Sequence, residues 1–454
     1  MKRLFAPLLI AFVLSVTAFA ADEAPLDAPW TPITVGDTEA FIMPDEVVRE
    51  LGIPRRNIPE DENAATIYLR IFGLLAAAGY PPKAFYNVAV VEPWGAEQVE
   101  IMAWFRKTEE ARRLVRDVVK RDQCEFPFMS APPGNKFLYG LMLPHLAPMR
   151  KLARLMVAEG HHLEQEGKPK EALQSYLLLF PMADHSAQEP FLISGLVGIA
   201  LRSIGIKAIR ECLARYDLPA ETLVWLAGEL EKAEAYELDR NGWIAFECAA
   251  AKQMTQPQYV LALEVFAGEV RMPQSPAYRI FAETRAARIL FPDRTMQKDF
   301  ERFYDHVDTL NRMKPWETAR AIAERDDTAF MMENVKDWNL LAPLLLPGLN
   351  GIQDRYIRTM CDFNALRIEV ALWRYRKVHG DFPENLDAIA PEFIKALPPD
   401  PYTGKDFRYR REDDGCVVYS LGSNLVDDGG EKAEADNRQG PDRIYVIEPL
   451  KEKP

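Results

Sequence analysis

Apolar residues recur at three- and four-residue steps through much of the chain, the spacing that places side chains on one face of an α-helix. Leu152, Leu155, Met156 and Leu163 follow this spacing. The run 167–169, Gly-Lys-Pro, then breaks the pattern, because glycine and proline disfavour a helix interior. The pattern therefore predicts a helix that ends at a short turn.

A second helix is predicted directly after that turn, because Ala172, Leu173, Tyr176 and Leu179 again share one face. Two antiparallel helices joined by a short turn form a helical hairpin. Further helices are predicted over residues 190–213, 219–240, 245–254 and 294–325. We therefore expect residues 61–340 to form an α-helical, repeat-like domain.

The predicted hairpin resembles a tetratricopeptide repeat. Gly160 and Ala172 stand where that repeat has small residues, and Tyr176 stands where it has an aromatic residue. The similarity covers about one repeat and lacks the leading tryptophan. Small residues let two helices approach closely while the aromatic ring fills the groove beside them, so the resemblance implies packing rather than chemistry.

The pattern changes near residue 341. The segment 341–349, rich in leucine and proline, leads into a long helix whose buried stripe is Phe363, Leu366, Val370 and Trp373. His379-Gly380 ends this helix, and a short helical turn at 385–390 and two dense turns over 398–405 follow.

Three short strands are predicted after these turns. Phe407 and Tyr409 alternate with arginines, the period of two that is typical of a half-buried strand. Residues 416–421 and 443–447 are predicted as the second and third strands. The expected fold class is therefore mainly α, with a small α+β unit at 341–454 that combines one long helix and an antiparallel three-stranded sheet.

Several motifs of this unit keep a recognisable order and spacing: residues 371–376 (ALWRYR), 379–383 (HGDFP), Leu397-Pro398, Asp400-Pro401 and 419–422 (YSLG). Leu386, Gly404, Tyr409 and the acidic glycine-rich loop 427–431 extend the pattern as far as 435–436. Together they resemble the type II secretion major pseudopilin, or G-type pilin, over roughly the last hundred residues. The whole chain also resembles uncharacterised exported bacterial proteins that end in a similar module.

The resemblance implies a calcium site in the loop between the last two strands. It implies a backbone carbonyl from Leu421, with Asn424 and Asp436 where the family has carboxylates. Because Asn424 is uncharged, Asp427 and Asp428 could supply replacement carboxylates. A hard cation takes six to eight oxygen ligands, and a glycine-rich acidic loop can fold around one. The alternative is a solvated acidic loop without an ion.

One departure from the family is clear. Pseudopilins carry an N-terminal glycine, a phenylalanine and an apolar helix with a glutamate, which a dedicated peptidase processes and which packs into the pilus core. In this chain some 340 residues precede the similar module. The resemblance therefore implies the pseudopilin fold without pilus assembly by the family's route.

The N-terminus predicts export. Met1-Lys2-Arg3 precedes an apolar run over 4–19, and Ala18 and Ala20 fit the minus-three and minus-one positions of a signal peptidase site. We expect a signal peptide at 1–20, cleaved after Ala20, and a periplasmic or extracellular protein; an uncleaved anchor is the alternative. Residues 21–60 are acidic and proline-bearing, which predicts an extended lead-in.

Composition limits the partners. The chain has 55 basic and 68 acidic residues and a net charge of −13, which disfavours nucleic acid and anionic lipid. After the signal peptide the longest uncharged apolar stretch is 191–201, too short to span a membrane. A basic cluster over 106–121 alternates with acidic residues, as on a solvated helix face. Five cysteines lie far apart, so buried free thiols are favoured, and one or two disulfides remain open.

The sequence contains no H-E-x-x-H, G-x-S-x-G, phosphate loop or dinucleotide fingerprint. The nearest approach to a metal-binding cluster is His161 and His162 with Glu159, Glu164 and Glu166, for which an exposed ion pair is favoured. Glu247 lies on a predicted apolar helix, where a buried carboxyl could act as a general acid or bond to a helix end.

Two functions are compatible with these features. The first is a non-catalytic exported scaffold whose helical region and pseudopilin-like module bind an envelope or secreted protein. The second is a secreted glycan-type hydrolase with a carboxylate site, including Glu247, in a groove of the helical region. We expect the first, because it requires no motif beyond those found.

Overall fold

The computed structural model describes residues 30–130, 138–234, 240–254, 293–324, 351–412, 414–430 and 442–448. The predicted signal peptide lies outside these residues. The helices are α1 Asp45–Glu50, α2 Ala64–Ala78, α3 Lys83–Asn87, α4 Val99–Lys107, α5 Glu109–Val118, α6 Leu146–Gln165, α7 Pro169–Leu177, α8 Leu179–Ala187, α9 Leu192–Arg215, α10 Ala220–Glu234, α11 Arg240–Met254, α12 Asp293–Arg312, α13 Pro315–Glu324 and α14 Ile352–His379. The strands are β1 Thr31–Val35, β2 Thr38–Ile42, β3 Met129–Ser130, β4 Leu141–Met142, β5 Arg408–Arg411, β6 Cys416–Ser420 and β7 Arg443–Ile447.

The fold is mainly helical with two small antiparallel sheets, which confirms the coarse fold class. One sheet, in the order β1-β2-β3-β4, begins inside the predicted lead-in and was not anticipated. Its first hairpin turns at Gly36, where φ is +62°, a conformation that glycine adopts without steric cost. The β2 strand then pairs with β3, almost ninety residues later, through Phe41 opposite Ser130.

The predicted helical hairpin is confirmed as α6 and α7, separated by a turn at 166–168. A Cβ atom at Gly160 would lie 2.1 Å from the Tyr176 ring, so only glycine permits this approach. The packing role expected from the tetratricopeptide-like pattern is therefore present at these two positions. Likewise, a Cβ atom at Gly195 on α9 would lie 2.4 Å from the Trp243 indole on α11.

The helix α9 is the central helix of the described part of the chain. It is 24 residues long, contacts α8, α7, α6 and α14, and begins close to the predicted boundary. Within the described residues it alone is long and apolar enough to cross a bilayer, and 61% of its most apolar window is buried inside the protein. A helix in the core of a globular protein can have the same length, composition and burial.

The C-terminal unit contains the predicted helix and three strands. The helix α14 ends at Gly380, whose φ of +84° forms a left-handed cap. The antiparallel sheet has the order β5-β6-β7, with Tyr419 between Arg408 on one side and Ile444 on the other. The pairing of β5 with β6 confirms the strands predicted around Phe407 and Val417.

The C-terminal unit and the helical region share one continuous hydrophobic core. On α14, Phe363 meets the Phe180 ring edge-on, with centroids 5.7 Å apart. Farther along α14, the Glu369 carboxylate accepts a 2.7 Å hydrogen bond from Nε of Arg210 on α9. Trp316 on α13 lies so close to Gly404 that a Cβ there would be 2.7 Å from the indole. We refer to these contacts as the junction.

Candidate functional site

The acidic loop after β6 is the predicted calcium site, and the structure describes it as far as Gly430. A short 3-10 turn over Gly422–Asn424 begins directly after Leu421. The Asn424 amide donates a 2.9 Å hydrogen bond to Asp428. These two side chains therefore lie together, as a shared ligand set requires.

The Asp427 carboxylate forms hydrogen bonds and an ion pair within the protein. Its Oδ1 accepts hydrogen bonds from the Tyr419 hydroxyl at 3.3 Å and from the Gly429 amide at 3.1 Å. Its Oδ2 lies 3.5 Å from Nε of Arg408. A nearby guanidinium offsets the negative charge of Asp427, which weakens this carboxylate as a cation ligand.

Asp436 lies outside the described residues, but the structure adds a carboxylate that sequence reasoning missed. Asp442, directly before β7, is buried, and its Oδ2 accepts a 2.7 Å hydrogen bond from the Gly430 amide. Its Oδ1 is buried and has no hydrogen-bond partner among the described residues. Its position immediately before a predicted strand that follows an acidic loop was the only sequence signal for it.

The described loop residues fit a hard cation in part. They offer amide and carboxylate oxygens and an orphaned carboxylate oxygen, which is costly to bury without a partner. Across the described ranges, no group of three or more His, Cys, Asp or Glu side chains has an arrangement that could hold a metal ion.

The second candidate cluster, around the two histidines of α6, divides into separate pairs. Glu159 is buried and accepts hydrogen bonds from Arg112 at 2.5 Å, Arg116 at 2.8 Å and Ser175 at 3.0 Å. The Arg112 guanidinium also covers the Phe105 ring at 3.6 Å. The expectation of a solvated face is therefore wrong for Arg112, which is almost buried, because its partner lies 47 residues later on another helix.

Glu164 and His161 are also held separately. Glu164 accepts a 2.6 Å hydrogen bond from the Tyr176 hydroxyl and lies 3.0 Å from Arg215. Burial raises the pKa of Glu164 despite these partners. His161 bonds through Nδ1 to the Ala89 carbonyl at 3.0 Å, and burial lowers its pKa to about 4. Each group therefore stabilises a helix contact.

The remaining pair, His162 and Glu166, has the expected four-residue spacing and a 3.5 Å separation. The expectation of an exposed pair holds for Glu166, but the His162 ring is mostly covered and stacks on Trp94 at 4.7 Å. Glu247 is partly buried on α11. None of the five cysteines is in a disulfide, which confirms the free thiols that the sequence favoured.

Sequence reasoning missed one buried polar cluster. His145 Nε2 lies 2.8 Å from Glu189 Oε2, and the Ser194 hydroxyl donates a 2.6 Å hydrogen bond to the same oxygen. All three side chains are buried, and Phe126 stacks on the imidazole at 4.1 Å. Both His145 and Ser194 bind the carboxylate rather than each other, so the serine is not activated as in a catalytic triad. The cluster joins the starts of α6 and α9.

No family model, no curated protein and no solved structure matches this chain.

Proposed function

We propose that this protein is an exported, non-catalytic scaffold of the cell envelope that presents a rigid helical surface to a protein partner. The observation that carries the proposal is the junction, where the helical region and the C-terminal unit share one core. A shared core of this kind keeps two surfaces at a fixed relative position, which a scaffold requires. The signal-peptide pattern at 1–20 supports export to the periplasm or beyond.

The electrostatics of the interior support the same function. Two of the acidic groups that sequence reasoning placed in one cluster, Glu159 and Glu164, are buried and paired with arginines, a serine and a tyrosine. The third, Glu166, is paired with Lys168 at the surface. Buried carboxylates with such partners hold helices in register and present no reactive group to a ligand. The proposed activity is therefore binding.

We propose a pseudopilin-like arrangement for the C-terminal unit, supported by its long helix, its antiparallel sheet and the motif order around Asp400. In pseudopilins the N-terminal part of the long helix packs into the pilus core. Here the corresponding part of α14 contacts the chain's own helices, through Phe363 against Phe180 and Thr359 hydrogen-bonded to Ser203 at 3.0 Å. In this proposal, the helical region takes the place of the pilus core at this face of α14.

Calcium binding by the acidic loop is part of the proposal. Leu421, Asn424, Asp428 and Asp436 would hold the ion, and Asp442 would contribute the oxygen that has no hydrogen-bond partner among the described residues. Calorimetry with calcium chloride tests this: binding to the full chain that disappears in Asp442→Asn supports the site. An identical isotherm for the variant, or no heat of binding to the full chain, contradicts it.

Chemical cross-linking in the producing bacterium, followed by affinity purification from the envelope fraction, tests the scaffold function. We expect the full chain in the envelope or periplasmic fraction, with its mature N-terminus at Ala21, and a small set of cross-linked proteins that an unrelated exported protein of similar charge does not recover. A cytoplasmic location, or a set of proteins identical to that of the control, contradicts the proposal.

A further inference from the structure

The outer face of α6 carries an unusual group of side chains. Arg154 lies one helical turn after Arg150 and Lys151, and Arg150 and Arg154 are exposed. Lys151 lies over the Tyr80 ring at 5.5 Å, and Arg154 lies over the Tyr86 ring at 5.5 Å. We call these five residues the Tyr80 surface.

The two tyrosines are held in place by the core beneath them. Tyr80 is 82% exposed, but it follows Gly79, whose carbonyl accepts a 3.0 Å hydrogen bond from the Trp104 indole. Tyr86 follows Phe85, which is fully buried and meets Trp104 edge-on at 4.9 Å. Two prolines after Tyr80 restrict the backbone further. A rigidly presented, exposed tyrosine contributes contact area at a low cost in conformational entropy.

Among the described residues, the cations of this surface have no carboxylate partner, in contrast to several arginines of the interior. Arg112, Arg210 and Arg215 each form ion pairs within 3.0 Å of a carboxylate oxygen. Within the described ranges, Arg150, Lys151 and Arg154 form no ion pair; burial lowers the pKa of Lys151, and the Asp37 carboxylate raises it by a smaller amount. On a chain of net charge −13, the described residues therefore present a local positive surface here.

We propose that the Tyr80 surface binds an acidic, extended polypeptide segment of a partner protein. This inference rests on the proposed scaffold function and names the surface and the partner chemistry. Tyrosine and arginine are the residue types that most often dominate binding energy at protein interfaces, and the free cations determine the sign of the partner's charge. Carboxylates of the segment pair with Lys151 and Arg154, while its apolar groups cover the two rings.

The charge distribution favours a peptide over a membrane. A flat anionic bilayer meets the field of the whole chain, whose net charge of −13 opposes binding. An extended peptide contacts only the local positive surface and is small enough to avoid the remaining acidic surface. The exposed Val91, on the loop that follows Tyr86, adds an apolar edge that suits a polypeptide.

Fluorescence anisotropy with a labelled peptide of alternating glutamate and proline, which remains extended, tests the assignment on the full chain. We expect salt-sensitive binding, and binding about tenfold weaker in the double variant Lys151→Glu with Arg154→Glu. Tyr80→Ala with Tyr86→Ala, which leaves the charges intact, should also weaken binding severalfold. The charge-matched control is Arg355→Glu with Lys395→Glu, two exposed cations of the C-terminal unit, and it should bind like the unmodified chain.

Three results would overturn the assignment. The first is an equal loss of peptide affinity in the Lys151→Glu, Arg154→Glu variant and in the control. The second is unchanged peptide affinity in the Tyr80→Ala, Tyr86→Ala variant. The third is tighter binding to vesicles containing phosphatidylserine than to the peptide. Circular dichroism of each variant separates lost binding from lost folding. If cross-linking recovers the same partners with and without Tyr80 and Tyr86, the scaffold function stands and this surface is wrong. If the peptide binds to this surface but cross-linking recovers no partner, the surface stands and the scaffold function is wrong.

Discussion

The junction offers a sharp test, because one buried ion pair connects the helical region to the C-terminal unit. Glu369 is 5% exposed and Arg210 is 25% exposed, with 2.7 Å between Oε2 and Nε. The guanidinium also lies 4.6 Å from the centre of the Tyr445 ring on β7. Removing either partner leaves the other in a poorly solvated position.

The two single variants should differ in magnitude. Removing one partner of a fully buried pair costs about 3 to 5 kcal/mol, and the partial exposure of Arg210 reduces the cost of Glu369→Gln to about 2 kcal/mol. Arg210→Met leaves a buried carboxylate and should cost about 3 kcal/mol at pH 8. The double variant Arg210→Met with Glu369→Leu should lie within about 1 kcal/mol of the unmodified chain.

The pH dependence of the free energy of unfolding is an independent test of the ion pair. Burial raises the pKa of Glu369 while Arg210 lowers it, so removing Arg210 leaves the carboxyl with a higher pKa in the folded state. A carboxyl with a raised folded pKa contributes stability that is present at low pH and is lost as the pH rises above its unfolded value of about 4.5. The penalty of Arg210→Met should therefore be smaller at pH 5 than at pH 8.

Urea denaturation followed by circular dichroism at both pH values measures these differences. The exposed pair Lys232 and Glu229 is the matched control, and Lys232→Met should change the free energy of unfolding by less than about 0.5 kcal/mol. A double variant whose loss equals the sum of the two single losses would refute the coupling. So would an Arg210→Met penalty that is independent of pH.

Three further outcomes are expected. Burial raises the pKa of Asp184 to about 7 although Arg202, 3.3 Å away, lowers it, so stability from the neutral carboxyl should be lost between about pH 4 and pH 7, and Asp184→Asn should remove this part of the pH dependence in urea melts. Gly160→Ala should cost about 2 kcal/mol because the new methyl group meets Tyr176, whereas Gly228→Ala, with open space around it, should be neutral or stabilising in the same assay. The five cysteines should react with Ellman's reagent only after unfolding, since four are buried and one is partly covered; fast reaction of the native protein, or fewer than five thiols after unfolding, would contradict this.

Local features of the sequence were enough to predict the local structure. The α6 and α7 hairpin was predicted because its apolar spacing and its Gly-Lys-Pro break act within one or two turns of helix. The β5 and β6 strands were predicted because alternation at Phe407 and Tyr409 is visible in a few residues. The predicted helix over 294–325 appears as two helices, since Pro315 begins a new one.

Contacts between distant segments could not be predicted. The strand β2 finds its partner β3 almost ninety residues later, so nothing near Phe41 indicated the sheet. The burial of Arg112 depends on Glu159 on another helix. The alternation of basic and acidic residues over 106–121 is the same whether an arginine faces solvent or a buried carboxylate. His145 and Glu189 are 44 residues apart and carry no motif spacing.

The candidate calcium loop shows the same limit. Asn424 and Asp428 are close in sequence and in space, so their proximity could be predicted from the loop alone. The orphaned oxygen of Asp442 depends on how β7 returns beside Gly430, which is a property of the folded sheet. The ion pair between Arg408 and Asp427 likewise requires β5 and the loop to meet.

Hydrogen exchange under native conditions tests most directly whether the helical region and the C-terminal unit form one platform. The shared core and the junction predict that the slowest amides of α9 and of α14 exchange with the same free energy of opening and lose protection together at the same urea concentration. Exchange of α14 and β5 to β7 through a separate, less costly opening, while α9 remains protected, would contradict the account.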